Sequence, residues 1–261
     1  MFNQILKKIL AISLLFISSF AGAQMVKTEG AAGPMKLYEY AAPNAYLDPA
    51  LISFHGLGGR YNDAATLCYR LEQGYVIPYH VFAAQLNAGD YDWSKNDIAD
   101  VFRAVKNAGY RSAHITGVSL GGMAVIRAMA HNENILLIGW PHLDILSAGV
   151  VCGKDELRKY SAYARVPHIM CWHGENDGVM NVTNIRTMVT GVRLAGGEID
   201  LRSYTGVGHD VWKYAYSTTR EDSYFAWLTS LSSRRGLYIN GIWAGDSVVT
   251  VCDKIIEYRK Q

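Results

Sequence analysis

Hydrophobic and polar positions along the chain change rhythm in a regular way. "MKLYEY" (residues 35–40) alternates with period two and predicts a strand. "ALISFHGLGG" (50–59) is a short apolar run that ends in glycines, as a buried strand does on entering a loop. "NDAATLCYRLEQG" (62–74) predicts a helix opened by Asn62 or Asp63 and closed by Gly74, and "YHVFAAQL" (79–86) predicts another strand. The clearest helix is "KNDIADVFRAVKNAG" (95–109). Ser94 is its N-cap, Ile98, Val101, Phe102, Val105 and Ala108 share one face, and Gly109 ends it. "SAHITGV" (112–118) is a strand. "GGMAVIRAMAHN" (121–132) is apolar around most of its circumference, which predicts a buried helix.

Two further apolar strands, "LSAGVVCG" (146–153) and "HIMCWHG" (168–174), precede a helix, "VTNIRTMVTGVRLAGG" (182–197), and a strand, "EIDLRSY" (198–204). Strands alternating with helices of about 10–15 residues predict an α/β fold, a mainly parallel sheet flanked by helices. Ligands of such sheets bind outside the carboxyl ends of the strands. The tail departs from this rhythm. "DSYFAWLTSL" (222–231) predicts a last helix, and "LYINGIW" (237–243) carries an Asn-Gly hairpin signal. "SVVTVCDKIIEYR" (247–259) adds a strand. Residues 234–261 are therefore expected to form a small C-terminal β appendage to a domain spanning 24–233, with 24–33 as a mobile lead-in.

The 261 residues, half of them hydrophobic, suffice for one domain with a sizeable core. A formal net charge of +2 without a basic stripe argues against a nucleic-acid partner. The first 23 residues have the layout of a secretory signal peptide: Lys7 and Lys8, an apolar run from Ile9 to Phe20, then Ala21-Gly22-Ala23, with cleavage expected before Gln24. That run is shorter than the ~20 residues of a spanning helix, and no other run is long enough. A secreted or periplasmic protein without a membrane span after cleavage is expected. Cys68, Cys152, Cys171 and Cys252 permit three full pairings. Cys171 falls in an apolar strand, where a buried free thiol is expected. Neither the cysteines nor the histidines have metal-ligand spacing, so no metal and no cofactor are expected.

Between a predicted strand and a buried helix stands Gly117-Val118-Ser119-Leu120-Gly121, a G-x-S-x-G pattern. Glycines on either side allow a sharp strand-to-helix turn that exposes the serine hydroxyl. That hydroxyl needs a general base, and the base needs an orienting carboxylate. "WHGENDGVM" (172–180) offers Asp177, with Glu175 as the alternative acid. "YTGVGHDVW" (204–212) offers His209. His173 reads as a core or turn histidine, and Asp210 as a local backbone partner. An oxyanion needs two backbone N–H donors; the amides of Leu57, in "HGLGG" (55–59), and Leu120 are suitably placed.

"SFHGLGG", "GVSLGGM", "WHGENDGVM" and "GVGHDVW" together resemble the α/β-hydrolase superfamily, in particular secreted phospholipase/carboxylesterase and polyhydroxybutyrate-depolymerase-like esterases. The resemblance runs from about Leu51 to Leu231. It implies the α/β-hydrolase fold, a catalytic Ser119, Asp177 and His209, and an oxyanion hole at Leu57 and Leu120. It also implies hydrolysis of a carboxylic ester. "ILLIGWPH" (135–142) reads as an insertion beside the site. Trp93, Trp140, Trp172 and Trp212 either pack in the core or present an aromatic face to a carbohydrate-linked, phenolic or polyester substrate. Two rivals stand: a serine peptidase of the same fold, and a non-catalytic secreted binding protein on a hydrolase scaffold.

Overall fold

The computed structural model describes residues 26–41, 49–59, 67–72, 79–86, 90, 92–132, 140–234, 238–239 and 242–243. The expected signal peptide at 1–23 and most of the 234–261 segment lie outside these. Eight strands form the central sheet: β1 (Val26–Ala32), β2 (Met35–Ala41), β3 (Ala50–Phe54), β4 (Val81–Gln85), β5 (Ser112–Val118), β6 (Asp144–Val151), β7 (Ile169–Gly174) and β8 (Ile199–Tyr204). Their spatial order is β1-β2-β4-β3-β5-β6-β7-β8. From β4 to β8 every pairing is parallel, and β1 and β2 join antiparallel at one edge.

The inner parallel strands β3 to β7 are buried along most of their length because both of their faces are covered, whereas the edge strand β8 exposes Asp200, Arg202 and Ser203. Successive residues belong to different cores. Ile52, Phe54, Phe82, Ile115, Val150 and Ile169 face one side. Leu51, Val81, Val118, Val151, Met170 and Trp172 face the other. Helices α1 (Leu67–Glu72), α2 (Lys95–Asn107), α3 (Leu120–Asn132), α4 (Tyr160–Tyr163), α5 (Val182–Leu194), α6 (Trp212–Ala215) and α7 (Tyr224–Arg234) supply the covering. α2, α3 and α5 cover the first side; α1, α6 and α7 cover the second.

Helix α2 begins at the expected cap. Ser94 Oγ accepts from the Asp97 N–H, and the Asp97 carboxylate accepts from the Ser94 N–H, a reciprocal pair that satisfies two orphan amides. Ile98, Val101, Phe102 and Val105 are fully buried, whereas Ala108 has become the exposed C-cap. α3 is buried along most of its length, as its uniform apolarity predicts.

Two expectations change. Residues 26–32 are strand β1, paired from Val26↔Ala41 to Ala32↔Met35, rather than a mobile lead-in. Lys27 to Ala31 are not buried, so their side chains carry no alternation; backbone pairing to β2 makes the strand. The described part of "ILLIGWPH" is not beside the carboxyl end of β5. Trp140 to His142 lead into the amino end of β6, where Asp144 pairs with Ser112. Trp140 is buried there against Phe102 and His131. In the tail, β9 (Tyr238–Ile239) and β10 (Ile242–Trp243) pair antiparallel in the register Ile239↔Ile242, which leaves two residues between them, as the Asn-Gly signal predicts.

Candidate active site

Ser119 sits between β5 and α3 with φ +56°, in the left-handed region that side chains other than glycine rarely adopt. The flanking glycines explain how the turn closes. A β-carbon on Gly117 would overlap the backbone of Gly121, and one on Gly121 would overlap the Phe54 carbonyl at the end of β3. The Ser119 N–H donates to the Val151 carbonyl and prolongs the β5–β6 pairing to the turn itself.

The loops after β7 and β8 bring the other two side chains to Ser119. His209 Nε2 lies 2.9 Å from Ser119 Oγ, and His209 Nδ1 lies 2.8 Å from Asp177 Oδ2. The carboxylate can only accept, so Nδ1 carries the proton and Nε2 offers its lone pair to the serine hydroxyl. Asp177 is buried, and its other oxygen, Oδ1, accepts from the N–H groups of Val179 and Met180, each at 2.8 Å. Burial opposes its charge, but the Met180 amide, His209 and the Val179 amide outweigh that and hold the carboxyl below the usual carboxylate range.

The alternative acid points elsewhere. Glu175 accepts from Thr205 Oγ1, Ser203 Oγ and Arg186 Nη2, which keep its carboxyl below the usual range on the surface. Asp210 pairs with Lys213 and is exposed. His173 is fully buried, as expected of a core histidine. Its Nε2–H donates to the Met180 carbonyl at 2.6 Å, and burial pushes the ring below the ordinary imidazole value. Its 3.5 Å approach to Asp177 is therefore a contact of a neutral ring, not an ion pair.

On the opposite side, the "HGLGG" loop leaves β3 and abuts Ser119. A β-carbon on Gly56 would stand 3.3 Å from the Ser119 Cβ. A turn from Gly56 to Gly59 closes through the Gly59 N–H and the Gly56 carbonyl, and Leu57 at its crest is 61% exposed. The Leu120 N–H belongs to the first turn of α3, where no intrahelical acceptor exists. His55 anchors this loop: its Nε2 accepts from the Leu86 N–H, its Nδ1–H donates to the Gly56 carbonyl, and its own carbonyl accepts from the Trp93 indole. The roles of His55 and His173 were not legible in sequence, although each directly precedes a glycine of a motif loop.

A third residue, weighed in the sequence only for disulfide pairing, lies beside Asp177 and His209. Cys152 follows β6, the strand between those that lead to Ser119 and Asp177. It is buried, free and held at φ +40°. Burial pushes its thiol well above the ordinary cysteine value, with the Ser119 backbone opposing that and Asp177 adding to it. Cys171 is a buried free thiol, as expected; the side chain of Cys68 and the whole of Cys252 lie outside the described residues. Trp93, Trp140 and Trp172 are core residues, so of these four only Trp212 is partly exposed. Among the described residues no helix is long and apolar enough to cross a membrane.

No family model matches the chain, and no curated protein matches its sequence. Solved structures do. A thermostable esterase aligns over 79% of this chain with a TM-score of 0.56 and 17% identity. This chain spans 63% of that esterase. An esterase of Pyrococcus furiosus aligns over 80% of this chain and 90% of its own, with a TM-score of 0.54 and 13% identity. Acyl-protein thioesterase 2 of Zea mays aligns over 74% of this chain and 97% of its own, with a TM-score of 0.53 and 16% identity. The fold is that of the α/β hydrolases.

Proposed function

We propose that this chain of α/β-hydrolase fold is a serine hydrolase that cleaves carboxylic esters through an acyl-serine intermediate. The observation that carries the reading is the continuous relay from Ser119 Oγ through His209 to Asp177. In this mechanism Ser119 attacks the ester carbonyl while His209 Nε2 takes its proton. The oxyanion receives hydrogen bonds from the Leu57 and Leu120 amides. His209 then returns the proton to the departing alcohol and activates water for deacylation. Asp177 keeps the imidazole in the productive tautomer and stabilises the imidazolium. The compared esterases and thioesterase support acyl transfer as the reaction class.

The N-terminal pattern supports export, with residues 1–23 removed and the enzyme acting in the periplasm or outside the cell. N-terminal sequencing of the protein from a periplasmic or culture fraction tests this; a chain that still begins at Met1 contradicts it.

Labelling by a fluorophosphonate and turnover of short acyl, feruloyl, acetyl-sugar, polyester and peptide substrates test the reaction. Wild type is expected to be labelled and to hydrolyse at least one ester, and Ser119→Ala to do neither. Equal rates in the two proteins, or cleavage of peptide amides alone, would overturn the assignment.

A further inference from the structure

Among the described residues, one group of three side chains has its metal-ligating atoms close enough to hold an ion. These are Cys152, Asp177 and His209, with one ligand atom of each within 4.8 Å of the other two. We propose that this cluster is a binding site for a thiophilic divalent cation such as Zn2+, and that its occupancy switches the hydrolase off.

The donor set has the right chemistry. Thiolate, imidazole and carboxylate are the three protein ligands of zinc. Metal–ligand bonds of about 2.0–2.3 Å in a tetrahedral centre put ligand atoms about 3.3–3.7 Å apart. The ligand atoms lie within 4.8 Å of one another, so a tetrahedral centre draws the widest pair together by up to about 1.5 Å. Charge also balances: a thiolate and a carboxylate neutralise a dication, so the occupied site buries no net charge.

Two of the ligands are already held in place. The Cys152 N–H donates to the Trp172 carbonyl, which fixes the cysteine at the end of β6. Asp177 is fixed by the amides of Val179 and Met180. His209, with 30% of its side chain exposed, is the solvent-facing member and the side of entry. Cys152 is not committed to a disulfide, so its sulfur remains available as a donor. On binding, the thiol proton passes to solvent, the proton that His209 Nδ1 shares with Asp177 is replaced by one on Nε2, the cation takes the sulfur, a carboxylate oxygen and the Nδ1 lone pair so freed, and no electrons change hands. A ring committed to a cation no longer relays the Ser119 proton. That consequence, unlike the site itself, rests on the proposed hydrolase reading.

The test uses the full chain and Co2+ as a spectroscopic probe. A thiolate-to-cobalt charge-transfer band should appear in wild type, saturate at one equivalent and vanish on adding Zn2+. It should be missing in Cys152→Ala and in His209→Ala; the latter removes a partly exposed ligand and spares the packing. The zinc concentration that halves ester turnover should rise at least about tenfold in Cys152→Ala, each protein measured against its own metal-free rate. A wild type without the band, a variant that retains it, or equal zinc sensitivity of the two proteins overturns the site. If the chain hydrolyses no ester, the cobalt spectrum still decides the site, so the two readings fail separately.

Discussion

His173 supports Asp177 through a single residue: its Nε2–H donates to the carbonyl of Met180, whose own N–H donates to Asp177 Oδ1. Asp177 is thus positioned through the Met180 backbone by a fully buried ring. Replacing His173 with Phe fills the space but leaves the Met180 carbonyl without its donor. The expected result is a loss of about 1–3 kcal/mol in stability. A fall in kcat of about tenfold to a hundredfold should accompany it, from displacement of Asp177. Urea unfolding and initial rates check both. Unchanged kcat in a destabilised variant would limit His173 to a packing role.

The choice between the two acids of "GENDG" is open to a direct comparison. Asp177→Asn removes the carboxylate that holds His209 and should lower kcat by about 10⁴-fold. Glu175→Gln alters a surface cluster with Thr205, Ser203 and Arg186 and should leave kcat within about twofold, since surface changes away from a site have small effects. The reverse ranking would place the acid at Glu175.

The elbow makes two stability predictions of opposite sign. Ser119 pays for its left-handed backbone, so Ser119→Gly should abolish turnover and stabilise the fold by up to about 1 kcal/mol, the released strain less the entropy glycine gains on unfolding. Gly121→Ala drives a methyl into the Phe54 carbonyl and should destabilise by about 1–3 kcal/mol or more. Urea midpoints measure both, and a less stable Ser119→Gly would show that the turn is not under strain.

Acid should loosen the fold in two stages. His80, His131 and His173 are each held below the ordinary imidazole value, chiefly by burial. The unfolded chain binds their protons from about pH 6.5 downward, while the folded chain binds them only at lower pH. The unfolded state therefore carries more protons, and stability falls as pH drops below about 6.5. Asp177 and Asp222 are shifted down as carboxylates. Their stabilisation is present above about pH 3.9 and is lost as pH falls through their lowered values. Urea midpoints at pH 7.5 and 5.5 isolate the first stage; a midpoint that stays level or rises between them contradicts it.

Much of this architecture was written in residue order. Ile98, Val101, Phe102 and Val105 declared α2 because a buried helical face must be apolar at that spacing, and the runs in β3, β5 and β7 declared strands covered on both sides. Gly117 and Gly121 declared the elbow because only glycine tolerates backbone so close. Strand β1 stayed hidden, since its stability comes from backbone hydrogen bonds to β2 that leave no mark on exposed side chains. Strand order was equally silent. It sets β6 between β5 and β7, and so brings Cys152 beside Asp177 and His209, residues that no local pattern connects. Local sequence chose the elements and the elbow because burial and steric fit act residue by residue. Only the folded sheet chose which distant side chains meet, because their meeting depends on how strands are ordered and where each loop leaves its strand.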